Sequence, residues 1–382
     1  MGRMVEVPVT PSVLRWAIDQ SGYSRNDVSA RLGVSAAELR AWEKGDSRPT
    51  LTEFRRLADL LHRQTAVFFL PSPPEQASNR ASLRSAPGEA RTSLNVVERL
   101  YLREASRIQR ALAWAIKEMG SPKIQIGSET TSTKPAQAAS KFRQRIGVTI
   151  AQQTSWKDDS EAFRSWRTAL EEIGIYVFVF PMKRESVRGF SIWNDYAPII
   201  AVNSAWNIAA RIFTLFHEVG HLLTRTDSAC LGYVNSVSTS RNFSLERWCE
   251  RFAASFLLPR DEVRSFLETK LRWRKGSVCD LEHAGKLAKH FKVSLRASVV
   301  TLVELGVTDE NLYAAVSATT DKKSAGGGGR PRTRDEIRGA QLGSRAHSTL
   351  IRAMREDLMT RADVLSYLDL RYDDIAVGEA SA

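Results

Sequence analysis

Cysteine and histidine are both scarce in this chain, which has 3 Cys and 6 His in 382 residues. Cys230, Cys249 and Cys279 are odd in number and show no C-x-x-C spacing, so neither a disulfide framework nor a cysteine-rich zinc module is expected, and a reducing cytoplasm fits. No uncharged apolar stretch reaches the ~18 residues that a membrane span needs. The start of the chain has no apolar core of a signal peptide either, because Arg3, Glu6 and Pro8 interrupt it. The expectation is a protein that is neither exported nor membrane-bound. Acidic residues are outnumbered, 43 against 55 Lys and Arg, and the formal net charge of +12 favours acidic partners, nucleic acid first among them.

With histidine so rare, two of them four apart stand out. His217-Glu218-Val219-Gly220-His221 is an H-E-x-x-H word, which chance would produce on the order of once in two hundred chains of this composition. Ile212, Phe213, Leu215, Phe216, Val219, Leu222 and Leu223 run beside it at helical spacing, and Asn203 or Ser204 offers an N-cap upstream. On a helix both imidazoles project from one face and can share a zinc ion, while Glu218 reaches the water that the metal activates. Glu218 is therefore the candidate general base and acid, and His217 and His221 are candidate ligands. A catalytic zinc takes three protein ligands, so one more is needed. Glu246 and Glu250 lie one turn apart beside the apolar stripe Leu245, Trp248, Cys249, Phe252, Ala253 and Phe256, in a helix that Ser244 is placed to cap. Either can serve. Asp227 stands where metzincins place a third ligand, but Thr224 occupies the position at which those enzymes need glycine to turn the chain.

Length predicts two or three domains. Residues 11–70 read as short helices with clear starts, because Ser24 and Asp27, Ser35 and Glu38, and Thr50 and Glu53 are each spaced as a capping box. Gly33-Val34 supplies the turn of a helix-turn-helix. Pro71-Ser72-Pro73-Pro74 opens a linker to residue 94. A long helix follows over Asn95–Met119, and helical signal returns over Ala136–Ile146 and Ala162–Ile173. Three strands are expected at Ile175–Phe180, Gly189–Trp193 and Pro198–Val202, the last two joined as a hairpin. Helices after the metal word complete this domain, 95–316, with its core at 141–307. A Gly-rich linker, 317–330, and a small helical region, 331–382, end the chain, with helix expected over Ser344–Leu368.

Two resemblances sharpen these readings. Leu32-Gly33-Val34-Ser35, Ala41-Trp42-Glu43-Lys44-Gly45, Pro49-Thr50 and Leu57-Ala58 resemble the Cro/repressor-like (XRE) helix-turn-helix family. That likeness implies DNA binding through residues 1–70, with Ala36, Ala37 and Arg40 facing bases and Ser35, Lys44 and Arg48 nearer phosphates. The same three-helix module can instead grip a protein partner. The run from Glu246 to Pro259, together with H-E-x-x-H, resembles the second signature of the ImmA/IrrE metallopeptidase family (peptidase M78), E-x-x-A-N-x-F-A-A-x-L-L-x-P. Cys249 and Glu250 stand where that pattern has Ala-Asn. The resemblance implies an α+β, mostly helical chain: an all-α helix-turn-helix domain, a zincin-like domain with a small three-stranded sheet, and a short helical C-terminal unit. It implies Glu246 as third ligand, one Zn2+ per chain and cleavage of a Cro-like repressor or antitoxin. An extended substrate is expected to add to the sheet edge. A regulator that uses the peptidase fold as a sensor or binding platform, without turnover, is the alternative. It has no need of Glu218.

Overall fold

The computed structural model describes residues 5–74, 81–84, 94–225, 240–274, 277–308, 312, 316 and 332–371. Asp227, Cys230 and the expected Gly-rich linker lie outside them. The chain forms two compact units, residues 1–79 with 91–104, and residues 80–90 with 105–382. No helix among the described residues is long and apolar enough to cross a membrane.

The first unit contains α1 (Pro11–Ser21), α2 (Arg25–Leu32), α3 (Ala36–Lys44) and α4 (Leu51–Leu60), followed by a 3-10 turn at Thr65–Phe69. Ser24 and Thr50 form full capping boxes with Asp27 and Glu53; Ser35 accepts from the Glu38 backbone without the reciprocal bond. Each cap satisfies an otherwise orphaned backbone N–H and so fixes where its helix starts. Gly33 holds φ at 76°, a left-handed conformation that suits glycine, and this sets the turn between α2 and α3. Leu14, Ile18, Val28, Leu39, Trp42, Phe54, Leu57 and Phe68 meet in one apolar core. Arg25 forks onto both oxygens of buried Glu43, at 2.9 and 3.1 Å from Nε, which ties the start of α2 to the end of α3.

In the second unit the predicted strands appear as β2 (Tyr176–Phe180), β3 (Gly189–Ile192) and β4 (Ile199–Asn203). The β3–β4 pair is an antiparallel hairpin, and β2 runs parallel to β4. A fourth strand, β1 (Ala81–Arg84), comes from the segment read as linker and pairs antiparallel with the outer side of β3, giving the order β1-β3-β4-β2. Around the sheet pack the later part of α5 (Val96–Glu118), then α6 (Pro135–Ile146), α7 (Ile150–Ser155), α8 (Asp159–Glu172), α9 (Ile208–Thr224) and α10 (Ser240–Leu257). Beyond them lie α11 (Arg260–Thr269), α12 (Leu281–Phe291) and α13 (Leu295–Glu304). Gln109 donates to the carbonyls of Ile192 and Ala197, both at 2.9 Å, and so clamps α5 to the hairpin. Buried Gln153 donates to the carbonyls of Leu257 and Phe291, satisfying the C-terminal ends of α10 and α12.

Three expectations are corrected. The N-cap of α9 is Asn207, whose side chain accepts from the Ala210 N–H; Asn203 instead braces the preceding loop by donating to the Lys183 and Val187 carbonyls. The α10 helix begins at Ser240, a turn before Ser244. The helix expected over Ser344–Leu368 is two, α15 (Ser344–Arg355) and α16 (Arg361–Leu368), because Asp357 takes positive φ and Thr360 opens a capping box with Asp363, and a further helix, α14 (Arg334–Leu342), precedes them and ends at Gly343, which also takes positive φ. Of these, α14 lies along β2, where Arg167 of α8 donates to its Ala340 carbonyl, and Tyr176 of β2 meets Thr349 of α15 at 3.2 Å.

Candidate metal centre

The site begins with the rotation of α9. Phe216 stacks on Phe256 of α10 at 4.0 Å between ring centres and meets the edge of Trp166 at 4.9 Å, so the residue before the metal word is anchored in the core. Those contacts fix which way the next turn faces. Gly220 then lies directly against Cys249. A Cβ added at Gly220 would sit 3.1 Å from both Cβ and Sγ of Cys249, closer than ordinary packing, so the missing side chain is what lets α9 and α10 approach. Gly220→Ala is expected to destabilise the unit by about 1–3 kcal/mol through this overpacking, which thermal denaturation measures.

The close crossing brings His217, His221 and Glu246 together. His217 Nε2 and His221 Nε2 are 3.1 Å apart, and Glu246 reaches His217 at 3.2 Å with one oxygen and His221 at 3.3 Å with the other. These are the only groups of three or more His, Cys, Asp or Glu with metal-ligand spacing among the described residues. A tetrahedral zinc with bonds of about 2.0–2.1 Å has ligand edges of about 3.3–3.4 Å, near each of these separations, and with one atom from each residue the three ligands lie within 4.8 Å of one another. Both imidazoles are buried while Glu246 keeps 43% of its side chain exposed, which gives the triangle one open side. Glu250 points into solvent, outside the cluster.

Charge supports the same reading. Burial alone would raise the Glu246 carboxyl, but hydrogen bonds and charge from His217 and His221 outweigh it and hold Glu246 well below the usual carboxylate range. Burial alone would likewise lower His221, yet Cys249 and Glu246 beside it raise it well above the usual imidazole range. Burial pushes the Cys249 thiol up. Three buried or half-buried donors thus compete for positive charge at one point, a role that a divalent cation fills.

Glu218 is fully buried, and Ser191 of β3 donates to its Oε2 at 2.9 Å. Gly189, two residues along the same strand, has no room for a side chain: a Cβ there would fall 2.6 Å from Thr214 Cγ2 and 2.8 Å from the Ala201 carbonyl. The strand therefore lies directly on α9 at the carboxylate. Sequence reasoning missed Ser191, Gly189 and Cys249. Nothing in a four-residue strand announces which serine meets a helix that begins seventeen residues later.

In the first unit, Leu39 and Trp42 turn one side of α3 into the core. The opposite side presents Ala36, Ala37, Arg40 and Lys44 to solvent, next to exposed Ser35 and Arg48. The predicted nucleic-acid residues thus share one exposed face.

The comparisons agree with both halves of the geometry. Residues 14–68 match the helix-turn-helix family model, of XRE type, and residues 170–302 match the IrrE N-terminal-like domain of peptidase M78. No curated protein matches the chain. The chain therefore joins an XRE-type helix-turn-helix domain to an IrrE N-terminal-like domain, and the His217, His221 and Glu246 cluster lies within the second.

Proposed function

We propose that this chain is a cytoplasmic zinc endopeptidase that acts in gene control, cleaving a Cro-like repressor or antitoxin. The observation that carries the reading is Glu218: a buried carboxylate, oriented by Ser191, one residue from a ligand triangle with an open side. A purely structural zinc site has no use for such a group. Zinc held by His217, His221 and Glu246 would supply Lewis acidity toward the scissile carbonyl and make water easier to deprotonate. Glu218 takes the proton from that water and delivers it to the leaving amide nitrogen, while Ser191 keeps the carboxylate pointed across the open side. The outer side of β3, where β1 pairs, is the sheet edge nearest Glu218, and its backbone groups would suit a protein substrate read by shape more than by side chain. The test is the level of a co-expressed Cro-like repressor, compared between the native chain and a Glu218→Gln variant.

The helix-turn-helix domain is the targeting element of this proposal. Its exposed face pairs one fork-shaped donor, Arg40, with Lys44 on the same helix, and with Ser35 and Arg48 at either end of it, groups of the kind that contact phosphates. Arg40→Ala is expected to cost about 1–3 kcal/mol of binding to the preferred site, as a bidentate contact to guanine would. Lys44→Ala should weaken binding to all sequences and reduce the salt slope by about one. Mobility shifts over a range of salt, with DNA from upstream of the coding sequence, measure both. DNA affinity that neither changes nor depends on salt would assign the domain to a protein partner.

A further inference from the structure

The small sheet has one strand more than its metal site needs. Without β1, the outer side of β3 would be a free edge: a row of backbone N–H and C=O groups open to any extended chain. This edge belongs to the strand that carries Ser191, 2.9 Å from Glu218, and Gly189, pressed onto α9. It is therefore the edge on which a polypeptide would lie to reach the metal centre. The structure shows it already taken. Ala81 pairs with Ile192, Ser82 with Ser191, Leu83 with Phe190 and Arg84 with Gly189, antiparallel throughout, so the backbone of residue 82 runs opposite the residue that holds Glu218.

We propose that segment 81–84 is an internal occupant of the peptide-docking edge, and that it must leave β3 before another extended polypeptide can bind beside Glu218. The inference rests on the peptide-hydrolase reading above and adds its regulation. Ala-Ser-Leu-Arg contains no proline, so every residue whose N–H faces β3 can donate to the ladder. Its tether gives it an effective concentration in the millimolar range, which a free peptide in the cell does not reach. Among the described residues four pairs hold it, short for a strand, which suits a reversible occupancy. A competing peptide then binds with its intrinsic affinity reduced by the fraction of time the edge is open: tenfold for an edge nine-tenths occupied, a hundredfold for one nearly always occupied.

The experiment uses the full chain carrying Ser82→Pro together with Leu83→Pro. Adjacent residues of an antiparallel strand alternate between facing the partner and facing away, so one of the two prolines removes a ladder donor in either phase. Two readouts follow. Amide exchange at residues 189–192 is expected to rise at least tenfold. A fluorescent peptide copying residues 79–87, followed by anisotropy in a Glu218→Gln background so that none is consumed, is expected to bind at least tenfold more tightly than it does to the unaltered strand. The milder Leu83→Gly keeps every donor and should move both readouts about two- to fivefold in the same direction. Ala86→Pro, outside segment 81–84, should move neither. Unchanged exchange and unchanged peptide affinity in both strand variants would overturn the proposal. Neither readout requires turnover, so a chain that released its edge on cue yet hydrolysed nothing would sink the peptidase reading and leave this one standing.

Discussion

Glu218→Gln is expected to keep one zinc per chain and to lose cleavage of a co-expressed repressor, with the rate down by about 10²–10⁴. The two halves of that result come from different parts of the site. The ligand triangle is made by His217, His221 and Glu246, none of which the substitution alters. Glutamine has the shape of glutamate and can still pair with the Ser191 hydroxyl, so the strand and helix stay in place. What disappears is a group that can take a proton from water and return it to nitrogen. Metal analysis and immunoblotting of the repressor together read the outcome. Repressor that vanishes as fast with the variant as with the native chain means that some other protease removes it, and the enzyme reading then fails. A variant that also loses its zinc would show that the carboxylate helps to hold the metal, contrary to its place outside the triangle.

His221→Ala tests the other half and should cost the metal itself. Removing one corner leaves His217 and Glu246, a pair without the third donor that catalytic zinc sites use. The expected result is a fall from one zinc per chain to essentially none, with cleavage lost in parallel. Stability gives an independent readout, because an ion that binds only the folded state stabilises it, by about 4 kcal/mol when present at a thousand times its dissociation constant. The native chain should therefore melt at a lower temperature after chelation, and the variant should melt at the same temperature with or without chelator. A His221→Ala chain that still carries a full equivalent of zinc, still released by chelator with a drop in melting temperature, would move the metal centre elsewhere.

Much of this site could be read in advance, and the parts that could not share a cause. His217, Glu218 and His221 are legible because an ion shared by two side chains of one helix needs them four apart, a local rule. Glu246 needed more: spacing left Glu250 equal to it, and only the resemblance separated the two. Geometry brings Glu246 to the histidines because the α10 stripe of Trp248, Phe252 and Phe256 packs toward the core and leaves Glu250 a further turn round, in solvent. The capping boxes at Ser24 and Thr50 were legible for the same local reason as the metal word. Ser191, Gly189 and the pairing of Ala81–Arg84 were not, because each depends on contacts between segments far apart in the chain. A strand of four ordinary residues between proline-rich stretches carries no periodicity that could reveal its partner. The Arg25–Glu43 clamp went unseen for that reason too, eighteen residues apart and without a motif to mark it.

The glycine at position 220 has a consequence for which ion the centre accepts. A Cβ there would lie 3.1 Å from the Cβ and Sγ of Cys249, so the bare glycine lets the two helices approach closely, and that approach brings Glu246 within reach of both histidines. A small ion that accepts nitrogen donors would suit such a cluster. Calcium, which takes six to eight oxygens at about 2.3–2.6 Å, meets two imidazoles and too few oxygens. Copper(II) binds nitrogen donors more strongly than zinc does in general, but it prefers a square-planar or tetragonal arrangement. Two helices held close at Gly220 would resist opening toward that shape, so their closeness would act as a gauge of ionic radius and geometry.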